Sequence, residues 1–212
     1  MAAASTHPST LVLHAVRLLG FADVGRLARR YGLDPDETGR WLGQAQASGW
    51  VEHADFGGAA GWSLTEAGRR HNEALLAAEL DGLGARARVL DVHRRFLPLN
   101  ARLQDAATRW QVRPLPGEAL AVNDHTDHRW DDRVIDALAS LGRQLVPLEL
   151  ELASVLARFD GYADRFEHAL EQVLRGQRQW VDGLGIDSCH AVWMQWHEDL
   201  LATLGLARGD ES

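Results

Sequence analysis

The sequence predicts a mainly α fold in two parts: a short helical segment broken by one hairpin, then a longer stretch that is helical almost throughout. Three observations carry this reading. Apolar residues recur at three- and four-residue spacing from Thr10 onward. Capping residues (Asp23, Asp34, Thr65) stand before the early periodic stretches. The period changes once, between Trp50 and Leu64, around a glycine cluster.

The elements follow in order. Residues 1–9 are small and polar and are expected to be disordered. Leu11, Val12, Ala15, Val16, Leu18 and Leu19 form one apolar helical face that Gly20 ends. Asp23 caps a short second helix through Val24, Leu27 and Ala28, with Gly32 as its exit. Asp34-Pro35-Asp36-Glu37 opens a third: aspartate as N-cap, proline at the first helical position, and a glutamate able to return to the cap amide. That helix runs to about Ala47 and stops at Gly49. Trp50–Phe56 reads as a strand, 57–60 as a turn and Gly61–Leu64 as the returning strand. Thr65 caps a fourth helix through Leu80. Three helices, a two-stranded wing and a helix make a winged helix-turn-helix over residues 10–80.

Beyond Asp81, a helix is expected from about Ala85 to Trp110, kinked or divided at Pro98. A loop with Pro114, Pro116 and Gly117 leads to the polar run Asn123-Asp124-His125-Thr126-Asp127-His128. A long segment from Trp130 to Phe159 is interrupted at Pro147. Further helices cover Ala163–Arg175 and Asp187–Leu204, with Gly205 as exit. Residues 81–205 are expected to form a helical ligand-binding or dimerisation domain, and 206–212 a flexible C-terminus.

Composition narrows the chemistry. The chain has 212 residues, and all 22 of its basic residues are arginine. Without lysine there is no Schiff-base nucleophile and no completed GxxxxGK[ST] phosphate loop, so pyridoxal phosphate and P-loop nucleotides are excluded as cofactors. One cysteine, Cys189, rules out an internal disulfide and a multi-cysteine zinc site. Met1–Thr10 has neither a basic region nor a long apolar run, and no stretch approaches a membrane span. No membrane association and a cytoplasmic location are expected.

Two motifs carry a family resemblance. Gly49-Trp50-Val51 is similar to the "GLV" exit, and Leu64-Thr65-Glu66-Ala67-Gly68-Arg69 to the "LTxxGR" motif, of winged-helix transcriptional regulators of the MarR type. The resemblance covers about a third of the chain. The remainder resembles the helical segment of uncharacterised actinobacterial regulator-like proteins. The first resemblance implies binding of double-stranded DNA. Set on that pattern, Arg40, Trp41 and Gln44 face outward from the third helix, with Arg26, Arg29 and Arg30 on the second as phosphate contacts. Charge opposes this. Residues 1–80 hold seven arginines against nine acids, and the wing from Glu52 to Gly61 has two acids and no arginine.

The densest polar grouping lies near the C-terminus. On a helix, Asp187, His190, Met194 and His197 share one face, while Cys189, Trp193, Trp196 and Leu200 form an adjacent apolar one. His190 and His197 stand about 10.5 Å apart along the axis, too far to chelate one ion together. A metal (zinc, iron or manganese) would take His190 or His197 with Glu198 and a ligand such as His125. Alternatively, these histidines are buried and hydrogen-bonded, and Asp124, Thr126 and Asp127 cap the next helix. A small-molecule pocket would draw on Trp110, Gln111, Asn123, Asp124, His125, Asp127, Asp187, His190, Trp193, Met194, His197 and Glu198. His190 or His197 beside Glu198 is a candidate general base, and Cys189 at a helix start a candidate activated thiol.

The leading expectation is a homodimeric transcriptional regulator whose helical part senses a small molecule or metal. The competing one is an enzyme or binding protein that uses the histidine pocket, with the winged helix as scaffold.

Overall fold

A computed structural model describes residues 3–56, 58–115, 118–207 and 209. It is mainly helical, with two small antiparallel two-stranded ribbons. The chain divides into two compact units. One takes in the described residues of Met1–Val89, Val155–Arg158 and His197–Ser212; the other comprises Leu90–Ser154 and Phe159–Trp196.

The first unit begins with α1 (Pro8–Leu19), α2 (Val24–Arg30) and α3 (Pro35–Ala47). Each later helix starts where the sequence signals it: Asp23 Oδ1 accepts from the Arg26 amide at 2.8 Å and Asp34 Oδ1 from the Glu37 amide at 2.9 Å. Strands β1 (Val51–Phe56) and β2 (Ala59–Leu64) pair from Val51·Leu64 to Phe56·Ala59. An isolated bridge between Ala22 and Trp62 ties the α1–α2 connection to this ribbon. Helix α4 (Glu66–Gly82) closes the unit's contiguous part. Its row of buried positions, Gly68, Asn72, Leu76 and Leu80, repeats every fourth residue. Val12, Val16, Leu27, Leu42 and Val51 form the core.

The Leu64-to-Arg69 motif has a plain geometric reason. Thr65 Oγ1 accepts from the Gly68 amide at 3.0 Å and donates to the Gly49 carbonyl at 2.7 Å. This draws the start of α4 onto the exit of α3, where a Cβ on Gly68 would stand 1.8 Å from the Trp50 carbonyl oxygen. Only glycine fits there. Gly49 reverses the chain at φ +73°, a left-handed conformation that favours the same residue.

The N-terminal segment departs from expectation. Helix α1 begins at Pro8, capped by His7, and Ala4 exchanges backbone hydrogen bonds with Val155 (2.8 Å) and Ala157 (3.0 Å). Ala4 therefore has a defined place, its N–H and C=O both paired in a strand-like bridge at Leu156. Met1 and Ala2, the turn residue Gly57, Pro116 and Gly117 of the expected loop, and 208 and 210–212 of the C-terminus lie outside the described residues.

In the second unit, α5 (Arg86–Gln111, of which the unit takes the part from Leu90) and α6 (His128–Ala153) run unbroken through Pro98 and Pro147. Neither proline divides its helix, since both are exposed and the carbonyls they leave free, of Arg94 and Arg143, lie on exposed residues where water can serve them. The region read as a loop is a ribbon of β3 (Val112–Leu115) and β4 (Glu118–Val122). Helix α7 (Tyr162–Leu174) starts at Gly161, φ +86°, where Glu149 of α6 accepts from the amides of Gly161 (2.8 Å) and Ala163. Burial raises the Glu149 carboxyl above its usual range, although those two amides favour the ionised form. The last helix, α8, spans Cys189–Leu204, of which this unit takes the part up to Trp196. Val134, Leu138, Leu141, Leu145, Leu148 and Leu152 of α6 form a heptad-like stripe in this unit's core, which also holds Phe96, Phe166 and Trp193.

Candidate functional site

The sequence-derived residues fall into three groups. In α3, Leu42 and Ala45 are buried while Arg40 and Gln44 are exposed, as the helical period requires. Arg40 Nη2 lies 3.3 Å from Glu37 Oε1 one turn earlier, so its guanidinium carries a counter-charge. Trp41 is half-buried and packs edge-on against His7 at 5.7 Å. Arg29 is exposed and Arg26 half-buried. Arg30, expected among the phosphate contacts, is instead buried, with its guanidinium 4.4 Å over the Tyr31 ring.

Behind the exposed edge of α3 lies a groove of about 330 Å³. Trp41, Leu42, Gln44 and Ala45 of α3, with Ser48 just past its end, form one wall, Ser9, Val12 and Leu13 of α1 another, and Trp50, His71 and Leu75 the rest. Trp50 and His71 stack at 3.7 Å between centroids, making a flat aromatic surface.

The second group is the 123–128 run, in the second unit. Here an imidazole is held from several sides. His125 Nδ1 stands 3.0 and 3.1 Å from the two carboxylate oxygens of Asp131. Its ring packs at 4.4 Å on Trp110, and Arg178 donates to its carbonyl at 3.3 Å. Asn123, buried, donates to Asp131 at 2.9 Å and to the Trp110 carbonyl at 3.0 Å. His125 has φ +58°, alone among the described non-glycine residues in having positive φ. Asp131 is 5% exposed, whereas the His125 side chain keeps 21% of its surface. A buried carboxylate thus orients a partly exposed ring through its Nδ1.

Their neighbours serve structure. Asp124 accepts from Arg113 at 2.8 Å and from the amide and hydroxyl of Thr126; the Thr126 bonds and then Arg113 keep its carboxyl below the usual range. Asp127 caps α6 through the Trp130 amide at 3.1 Å. Gln111 donates to Asp182 at 3.0 Å. Trp110 is a core residue. Asp131 was missed in the sequence, because its partner lies in an irregular loop with no periodic register to relate them.

The third group, on α8, is not one site. His190 and His125 belong to the second unit, His197 and Glu198 to the first. Among the described residues no three His, Cys, Asp or Glu side chains are placed to hold a metal ion, so the proposed set of His125, His190, His197 and Glu198 is not assembled. Trp193 is fully buried and donates to Asn100 at 3.1 Å; Asp187 accepts from Arg165 at 2.9 Å; His190 and Met194 are half-buried. Burial pushes the Cys189 thiol up to about 12, the opposite of activation. Glu198, read as the orienting carboxylate of a histidine base, accepts instead from Arg17 at 2.9 Å, with Arg69 at 3.6 Å.

What the sequence missed in the first unit is a buried charge network. Asp199 sits between His14, 3.0 Å away, and the guanidinium of Arg158. Arg158 also donates to Thr203 at 2.7 Å and to Glu79 at 3.3 Å. His14, Arg158 and Asp199 have no exposed side-chain surface.

No family model, curated protein or solved structure matches the chain. No helix among the described residues is long and apolar enough to cross a membrane.

Proposed function

We propose that residues 8–82 form a winged helix-turn-helix that binds double-stranded DNA, and that the protein is a ligand-responsive transcriptional regulator. The observation that carries this is the order α1–α2–α3–ribbon–α4, with the α1–α2 connection bridged to the ribbon at Ala22·Trp62 and the Arg40–Gln44 face of α3 outside. Helix α3 is the reading element: Arg40 suits a guanine edge or a phosphate, and Gln44 an adenine. Arg29 and Arg26 supply phosphate contacts. The acidic ribbon, with Glu52 and Asp55 exposed, takes no part in backbone contact. Few cations imply a shallow salt dependence and modest affinity.

The test is titration of the intact protein with duplex fragments flanking its own coding sequence, at several salt concentrations. Arg40→Ala should lower affinity by about 1–3 kcal/mol if Arg40 reads a base, with specificity relaxed at one position. Absence of binding even at low salt sinks the reading.

A second reading rests on His125. Its Asp131-oriented imidazole has the arrangement of a general base. This supports a proton-transfer activity in the helical part, with the winged helix as scaffold.

A further inference from the structure

We infer that the groove between α1, α3 and α4 is a binding site for a neutral, planar aromatic molecule of one or two rings, and that its occupancy and DNA contact exclude each other. The inference rests on the DNA-binding reading above for its second half only.

Size and chemistry select the ligand. At about 330 Å³ the groove falls at the small end of the range for organic ligands, roughly 300–1,000 Å³. Its walls are the indoles of Trp41 and Trp50, the latter stacked on His71, with Val12, Leu13, Leu42 and Leu75 beneath. Flat aromatic walls favour a flat aromatic guest, by offset or edge-on packing. No arginine, aspartate or glutamate lines the groove. An ammonium guest would leave water without a counter-charge, and a carboxylate would find only the single imidazole of His71, which disfavours both. The polar groups at the rim, Ser9, Gln44, Ser48 and His71, suit one or two hydrogen bonds to a ring N–H or hydroxyl.

The coupling comes from shared residues. Trp41 and Gln44 line the groove, and both stand on the α3 surface that would face a duplex. A guest that fixes their side chains toward the groove removes them from DNA. Linkage then requires that DNA weaken the guest by the same factor as the guest weakens DNA.

The experiment uses the full chain, with indole as probe and benzoate and tryptamine as charged controls. Amide and indole N–H resonances are followed by two-dimensional NMR. Saturable shifts at the Trp41 and Trp50 indole N–H, absent at Trp180, with indole bound at least tenfold more tightly than either control, are expected. Trp41→Ala should weaken indole binding at least tenfold. Ser48→Phe, at an exposed position on the rim, narrows the groove and should do the same should Trp41→Ala fail to fold. Shifts spread equally over all tryptophans, equal binding of the charged controls, or undiminished binding to Ser48→Phe would overturn the site. If indole binds as expected, saturating it should weaken duplex binding at least fivefold; unchanged duplex affinity overturns the exclusion. A protein that binds indole at Trp41 and Trp50 but no duplex refutes the DNA reading and the exclusion together, and leaves the aromatic site standing on its own evidence.

Discussion

His14 Nε2 lies 3.0 Å from Asp199 Oδ1, joining the first helix of the chain to the last inside the first unit. Neither side chain touches solvent. Burial alone would raise the Asp199 carboxyl, but Arg158 and then His14 outweigh it and hold the group well below the usual range. For His14 burial dominates, lowering it despite Asp199. At neutral pH Asp199 is therefore ionised, and His14 loses its proton more readily than a free imidazole does. Asp199→Ala leaves the buried Arg158 guanidinium with Glu79 as its remaining carboxylate partner and should cost about 3–5 kcal/mol, measured by urea unfolding. A loss under about 1 kcal/mol would show that the network contributes nothing net.

The same pair sets a pH dependence. Below about 6.5 the unfolded chain protonates His14 while the native state resists, so stability falls as pH drops from neutrality. Asp199 acts lower: its contribution is present above the ordinary aspartate range near 3.9 and fades as pH falls below it. Urea midpoints should decrease from pH 7.5 to 5, and His14→Gln should flatten that slope. Equal slopes in the two proteins would remove His14 from the account.

Glycines in the first unit divide into required and dispensable. Gly68→Ala would drive a methyl to 1.8 Å from the backbone oxygen of Trp50, which cannot move without parting α4 from α3. Overpacking of this kind costs about 1–3 kcal/mol or more. Gly39 stands mid-helix in α3, where an added methyl would meet nothing within 4 Å. Gly39→Ala should stabilise by about 0.5–1 kcal/mol. Thermal unfolding of the two variants should shift in opposite directions; a destabilised Gly39→Ala would contradict the open space around it.

These positions also show what was legible. Caps at Asp23, Asp34 and Thr65 and the change of period at Trp50 are local signals, read within a few residues, and the first four helices and their ribbon follow from them. Val112–Val122 escaped because Pro114 and a turn sequence outweighed its alternation, and the ribbon is irregular at Arg113 to Leu115. The residue pairs that organise the candidate sites are of another kind. His14 with Asp199 and Arg17 with Glu198 are brought together by tertiary packing, and no spacing rule connects residues so distant. On α8 the polar face was visible, but its division between two units was not: helical periodicity reports which residues share a side, not what that side meets.

His125 makes a prediction about a single proton. With Asp131 accepting at Nδ1, the neutral ring should carry its hydrogen on Nδ1 and present Nε2 as the acceptor. Nitrogen-15 NMR of the imidazole distinguishes the two tautomers. Asp131→Asn, whose amide can donate to Nδ1, should shift the population toward the Nε2–H form. A wild-type ring already in that form would show that Asp131 does not orient it.

Cys189 supplies a reporter for the second unit. Its thiol is fully buried and raised to about 12, so thiolate is scarce at any ordinary pH. Reaction requires the thiolate and access to it. Native protein should therefore resist a disulfide reagent at pH 8 and react stoichiometrically once denatured. Because Cys189 is the chain's single cysteine, the slow native reaction should track opening of the packing around it. Rapid labelling of folded protein would mean that the start of α8 opens without global unfolding, and that Cys189 is accessible enough to react.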